Sequence, residues 1–167
     1  MLLKRKPQQP TTGQSAQGPP ENHQAVLQDE LGLCHLWYFE LRLEQELVRA
    51  ARSGSPFSLI IWQLRLLPGE SLADELLRRV ASFLVKSLRS YDIAARLDDQ
   101  RFVALLYDAL PEAACTVAYR IKGDLQLRVP SAGRWQAGVA TFGRDAVDGA
   151  ALIMAALRRL EGAALAA

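Results

Sequence analysis

The chain has little of what several large classes of protein require. Its 167 residues include only two cysteines, Cys34 and Cys115. They lie far apart and fit no metal or redox spacing, so they read as reduced core residues of a cytoplasmic protein. Histidine is as scarce. His23 and His35 have no acidic or second histidine partner at ligand spacing, so neither reads as a metal ligand, and no cofactor is expected. No apolar run reaches the ~18 residues of a membrane span, which excludes an integral membrane segment. Lys4-Arg5-Lys6 is followed by Pro7-Gln8-Gln9-Pro10, where a signal peptide would need an apolar stretch. The formal net charge of +2 is too small to point to nucleic acid as a partner. Lysine is confined to Lys4, Lys6, Lys86 and Lys122, so the basic residues are mostly arginine. Arginine suits bidentate recognition of phosphates, carboxylates and guanine edges, although a GC-rich genome produces the same bias.

What is present is enough for one domain with a tail. Half of the residues are hydrophobic. Residues 1–24 are rich in Pro, Gln, Gly, Ser and Thr and have almost nothing to bury, so they read as a disordered tail. The domain is expected over 25–167. A helical pattern begins around Gln24 and leads to Gly32-Leu33. A longer helix follows with Leu36, Phe39, Leu43, Leu47 and Ala50 on one face, ended by Ser53-Gly54-Ser55-Pro56. Phe57 to Leu64 is a continuous apolar run of strand length, as in a strand buried on both faces. After Pro68-Gly69 comes an amphipathic helix with Leu72, Leu76, Val80, Phe83, Leu84 and Leu88 inward. Pro111 suits the first turn of a third helix, with Ala114, Val117, Ile121 and Leu125 inward. Trp135 to Phe142 reads as a strand, with Gly138 marking a bulge or a close backbone approach. Residues 146–165 form a last Ala/Leu-rich helix. Trp37, Trp62 and Trp135 read as core or sheet-face aromatics.

Between the second and third of these helices lies the stretch from Arg89 to Phe102. It reads as a helix end, a short strand, an Asp98-Asp99 turn and the start of a second strand, hence a β-hairpin over about 92–97 and 101–107. Asp suits the turn because it tolerates left-handed backbone angles and bonds its own backbone. The resulting order is a βαββαβ, ferredoxin-like α+β plan, with a mainly antiparallel central sheet and one helical layer packed on it.

Several fragments, taken in this order and spacing, resemble the GGDEF (diguanylate cyclase) domain of bacterial cyclic-di-GMP signalling. Gly32-Leu33 with Tyr38-Phe39 is similar to the family's opening motif. Pro56 to Arg65 looks like its first strand, and Ala73-Asp74-Glu75-Leu76-Leu77 like the Gly-Asp-x-x-Leu that opens the next helix. Arg96-Leu97-Asp98-Asp99-Gln100-Arg101-Phe102 sits where Arg-x-Gly-Gly-Asp-Glu-Phe is expected, and Gln136-Ala137-Gly138-Val139-Ala140 looks like the Ser-x-Gly-x-Ala strand. The resemblance spans about residues 28–163.

The departures from the family pattern fall on its chemistry. Joining two GTP molecules needs divalent metal held by carboxylates. Where the resemblance implies metal-binding Asp residues, the chain has Gln63 and Arg65; where it implies the hairpin acids, it has Gln100 and Arg101. Asp98 and Asp99 replace the two glycines whose backbone approaches phosphates. His35 replaces the Asn of the opening motif, and the loop after the first strand is shorter than the family's. Asp74 remains at a guanine-contacting position, which also suits the first turn of a helix. The terminal Lys and Gly-Arg motif is reduced to Arg159 and Gly162. These exchanges imply that the chain is not an enzyme and holds no metal. Arg65 and Arg101 read as a cationic rim, as surface arginines, or as partners of Asp98 and Asp99.

A second constellation of the family survives. Many GGDEF domains carry an inhibitory product site, Arg-x-x-Asp, with its Asp six residues before the first turn glycine. Arg89-Ser90-Tyr91-Asp92 has this form, six residues ahead of Asp98, and Arg120 stands in register for the family's further arginine. An arginine fork can bond guanine O6 and N7, a carboxylate accepts from the N1–H and N2–H edge, and arginine stacks on bases and matches phosphate. The alternatives are a helix-end ion pair for Arg89 and Asp92 and a plain exposed residue for Arg120.

The expected function is therefore a non-catalytic cyclic-di-GMP receptor using Arg89, Asp92 and Arg120. In the family this site takes a stacked ligand dimer and can tie two domains together, so the resemblance implies a homodimer as one arrangement. No second domain is read in the chain, so a protein partner is expected. The alternative is a pseudo-cyclase that docks on a partner without ligand, such as an active cyclase or an exopolysaccharide-export component in biofilm formation.

Overall fold

The computed structural model describes residues 27–69, 73–129 and 133–165. The tail over 1–24, the helix expected from Gln24 and the inward position of Leu72 lie outside them. The elements run α1 (Leu36–Ser53), β1 (Phe57–Leu66), α2 (Asp74–Ser87), β2 (Ile93–Arg96), β3 (Arg101–Tyr107), α3 (Pro111–Arg128), β4 (Gly133–Thr141) and α4 (Gly149–Leu165). The sheet has the order β2-β3-β1-β4 and every pairing is antiparallel. This is the ferredoxin-like α+β arrangement expected.

β1 sits at the centre because its apolar run has no polar face to offer water. Ile60, Trp62 and Leu64 point to one side, where Val80 and Leu84 of α2 and Ala118, Ile121 and Leu125 of α3 cover them. Leu59 and Ile61 point to the other side, against Phe39 and Leu43 of α1 and Leu152 and Ala156 of α4. The sheet therefore carries a helical layer on each face. The single layer expected is corrected: βαββαβ connections place α2 and α3 on one face, and α1 and α4, lying outside that unit, close the other.

Two buried polar arrangements lock the sheet to its surroundings. Trp62 Nε1 donates to the Ala118 carbonyl at 3.1 Å. Ser58 Oγ lies 2.7 Å from Thr141 Oγ1 and donates to the Ala109 carbonyl at 2.9 Å. β4 is an edge strand, and four of its backbone groups are taken by side chains. Gln126 bonds the Gly133 carbonyl and the Trp135 N–H; Arg159 bonds the Val139 carbonyl, and Asp145 the Thr141 N–H. Such capping blunts an edge against strand addition. Gly138 is the close approach expected, not a bulge: an added Cβ would lie 2.1 Å from the Ala156 carbonyl oxygen of α4.

In α2 Leu77, Val80, Ala81 and Leu84 are buried, and Leu76, Phe83 and the capping Leu88 are half-buried against the core; in α3 Ala118 is buried and Val117 half-buried. Trp37 is 52% exposed, so it is not a core aromatic, whereas Trp62 and Trp135 are buried. Both cysteines are free thiols. Cys34 is buried, which pushes its pKa up, while Cys115 is only half-buried.

Candidate functional site

The hairpin of β2 and β3 turns on Asp98. Its Oδ1 accepts the backbone N–H of Gln100 at 3.0 Å and of Arg101 at 2.9 Å. Among the described residues the only non-glycine with positive φ is Asp108. The turn thus forms through side-chain-to-backbone bonding, and Asp98 and Asp99 do not use left-handed angles. Asp98 Oδ2 meets the Arg101 guanidinium at 2.6 Å, and Asp99 meets Arg96 at 2.9 Å. Burial works against the Asp98 carboxylate, but the Arg101 guanidinium and the two N–H groups outweigh it and hold its pKa below the usual range.

Gln63, near the end of β1, lies between Arg101 on β3 and Gln136 on β4 in the pairing register. Arg65 Nε donates to Gln136 Oε1 at 2.7 Å. Gln63, Arg65, Asp98, Asp99, Gln100 and Arg101 all line one open cavity of about 500 Å³. Arg158 and Met154 of α4 line it too, and sequence reasoning missed them because only the fold brings α4 over the hairpin. The donor set does not fit a divalent metal. The carboxylates lining the cavity, Asp98 and Asp99, are each bound to an arginine, and no metal-holding cluster of His, Cys, Asp or Glu occurs among the described residues.

On the far side of the hairpin a second, smaller cleft of about 250 Å³ opens between the end of α2 and the middle of α3. Arg89, Asp92 and Arg120 line it together, above Leu88, Leu106 and Val117. The helix-end ion pair considered for Arg89 and Asp92 does not form. Arg89 Nη1 donates to the Tyr91 hydroxyl at 2.9 Å, and its guanidinium lies 5.8 Å from that ring's centroid. Asp92 instead accepts the backbone N–H of Arg89 at 3.2 Å and of Tyr107 at 3.3 Å. Burial pushes its pKa up, and these two N–H groups only partly hold it back. Arg120 Nη2 donates to the Ser87 carbonyl at 3.1 Å.

Both arginines of this cleft therefore have neutral acceptors, and exchanging one neutral hydrogen bond for another partner costs little. The Asp92 carboxylate is oriented by the backbone, and each of its oxygens retains a lone pair for a further donor. Asp108 also lines the cleft, held by Arg49 at 3.0 Å, which in turn bonds the buried Glu46 at 2.6 Å. Sequence reasoning missed Asp108; its φ of 47° is a conformation that Asp adopts more readily than most residues.

Comparison with known proteins identifies the family and the fold. The family model described as "Diguanylate cyclase, GGDEF domain" matches residues 32–161. Among solved structures, a sensory box/GGDEF family protein from Caulobacter crescentus CB15 is 21% identical with a TM-score of 0.69, covering 84% of this chain and 99% of that one. The FimX GGDEF domain from Pseudomonas aeruginosa is 23% identical with a TM-score of 0.69, covering 84% and 95%. The DgcB GGDEF domain from Caulobacter crescentus, in complex with c-di-GMP, is 17% identical with a TM-score of 0.72, covering 84% and 91%. At these identities the structures establish the fold. No curated protein matches the chain significantly.

Proposed function

The chain belongs to the diguanylate cyclase GGDEF domain family, and from that premise we propose that it is a non-catalytic receptor for cyclic-di-GMP. The observation that carries this reading is the convergence of Arg89, Asp92 and Arg120 on one cleft. Asp92 accepts from the N1–H and N2–H edge of a guanine, and an arginine fork bonds O6 and N7 or a phosphate. The cleft of about 250 Å³ is smaller than the roughly 300–1,000 Å³ of pockets that enclose a drug-sized ligand. It takes one guanine and leaves the rest of the dinucleotide outside, where a second ligand molecule or a protein surface covers it. The c-di-GMP complex of DgcB makes the ligand a reasonable one for this fold.

Loss of cyclase chemistry completes the reading. The metal-gathering positions hold Gln63, Arg65, Gln100 and Arg101, and the neighbouring carboxylates are engaged by Arg96 and Arg101. Calorimetric titration of the full chain with cyclic-di-GMP tests the proposal. Saturable heat is expected, and it disappears in Arg89→Ala. Folded wild-type protein that takes up no ligand overturns it.

A second reading, ligand-independent docking on a protein partner, is favoured by the outward face of α1. Trp37, Leu41 and Val48 are exposed there, opposite the buried Phe39 and Leu43. A partner whose binding is indifferent both to cyclic-di-GMP and to Arg89→Ala, and is lost in Trp37→Ala, supports this reading over the first.

A further inference from the structure

Helices α2 and α3 run antiparallel, since Arg120 reaches Ser87 at one end of their seam and Arg79 reaches the Arg128 carbonyl, 3.4 Å away, at the other. The first end holds the cleft described above. From the second end a separate groove of about 390 Å³ runs along α2, from Glu75 to Lys86. Arg78, Arg79, Lys86 and Arg128 wall it, and Phe83 and Leu125 belong to its floor. The Arg128 guanidinium stacks 4.6 Å from the Phe83 ring centroid, which fixes one cation over the floor. None of these cations forms an ion pair among the described residues. Among the described residues Glu75 is the single acid lining the groove, which leaves its described lining with a surplus of positive charge.

We propose that this groove, walled by Arg78, Arg79, Lys86 and Arg128, is the docking site for an acidic amphipathic helix of a partner protein. The groove asks for two things at once, carboxylates for its walls and an apolar anchor for its floor. A helix with Asp or Glu beside a large apolar side chain supplies both from one face. Complementary charge of this kind speeds encounter and selects the partner. A nucleotide suits the groove less well, because Arg128 already covers the aromatic face and no buried carboxylate is available to read a base edge. Nucleic acid needs a longer track of phosphate contacts than this short groove offers. The inference goes beyond ligand recognition at Arg89, Asp92 and Arg120 and does not depend on it.

The test uses the full chain, isotope-labelled for NMR, and three synthetic helical peptides. One carries Glu with Leu and Phe along one face, one has Leu and Phe replaced by Ser, and one has Glu replaced by Gln. The acidic apolar peptide is expected to shift resonances along α2 and the end of α3, and to bind on the order of tenfold or more tightly than either control, about 1.4 kcal/mol. Arg79→Glu combined with Arg128→Glu should lose that preference, whereas Arg158→Glu, on the opposite helical layer, should keep it. If the double variant melts before it can be titrated, Lys86→Glu on the exposed side of α2 replaces it, with a weakening of several-fold expected. Equal binding of the three peptides overturns the proposal. So do shifts scattered over the other arginines, and tighter binding of a DNA duplex or of phosphatidylglycerol vesicles through the same residues.

Discussion

Asp98 and Arg101 face each other across the hairpin turn with carboxylate and guanidinium 2.6 Å apart. On the proposed non-catalytic reading, the pair stands where the family resemblance implies metal and triphosphate, with a cation in the place of a ligand and an acid that neutralises it. Both side chains are more than a third exposed, so the contact organises the turn more than it stabilises the fold.

The first prediction concerns activity. GTP supplied with magnesium or manganese should yield no cyclic-di-GMP, as read by chromatography of the reaction mixture. Arg101→Glu alone should not restore product, because Gln63 and Arg65 still offer no carboxylate at the end of β1. Product from the wild-type chain would refute the non-catalytic reading.

A second prediction follows from the depressed pKa of Asp98. A carboxylate whose folded pKa lies below its unfolded value of ~3.9 adds stability above that value, and this is lost as pH falls through the folded pKa. Asp98→Asn keeps the acceptor for the Gln100 and Arg101 N–H groups but loses the charge. Chemical denaturation at neutral pH should show a deficit of about 0.5–1 kcal/mol for this variant, given the exposure of the pair. The deficit should shrink toward zero as pH is lowered below ~3.9. A deficit that is unchanged at low pH would assign the loss to something other than the charge.

How much of this was legible in the sequence varies by feature. The unbroken apolar run Phe57–Leu64 gave β1 and its central place, and the Asp-Asp pair gave the turn. Periodicity locates α1, but it cannot say which sheet face a helix covers, so it does not reveal the second layer. It also favours large side chains, so it points to Val117 where the closely approached sheet takes the small Ala118, and it does not separate Leu76 from its equal-sized neighbour Leu77. The chemistry of Trp37 suits a core or sheet-face aromatic, although its helical position is opposite that of Phe39. The Arg-x-x-Asp spacing and the register of Arg120 carried the smaller cleft. Arg158 and Asp108 could not be found that way, because only tertiary contact brings them to the two cavities.

The third prediction tests the close approach of β4 and α4. Gly138→Ala would place a Cβ 2.1 Å from the Ala156 carbonyl oxygen, a backbone atom that cannot swing aside. Strand and helix must separate, which opens the contacts around Leu160 and Leu152. A loss of about 3 kcal/mol is expected from such overpacking, measured by denaturant titration. Gly123→Ala is the control: an added Cβ there meets nothing within 4 Å and sits in helix α3, so no loss is expected.

The last prediction joins the raised pKa of Asp92 to ligand recognition. Bonding the N1–H and N2–H edge of guanine requires the ionised carboxylate, since the protonated form presents a donor of its own to those donors. Burial raises the Asp92 pKa in the folded protein above that of an unperturbed Asp, so the binding-competent form is depleted at a higher pH than for a free Asp at ~3.9. Cyclic-di-GMP affinity measured by calorimetry should therefore weaken as pH falls toward that range, by up to tenfold per unit once the pH is below the folded pKa. Asp92→Asn should bind weakly and lose this acid dependence, because its amide does not titrate. Arg120→Ala should bind weakly and retain the dependence, because it leaves Asp92 and its two backbone donors in place. If Arg120→Ala and Asp92→Asn have the same pH profile, the guanine edge is not read by Asp92, and the ligand, if bound, is held through its phosphates alone.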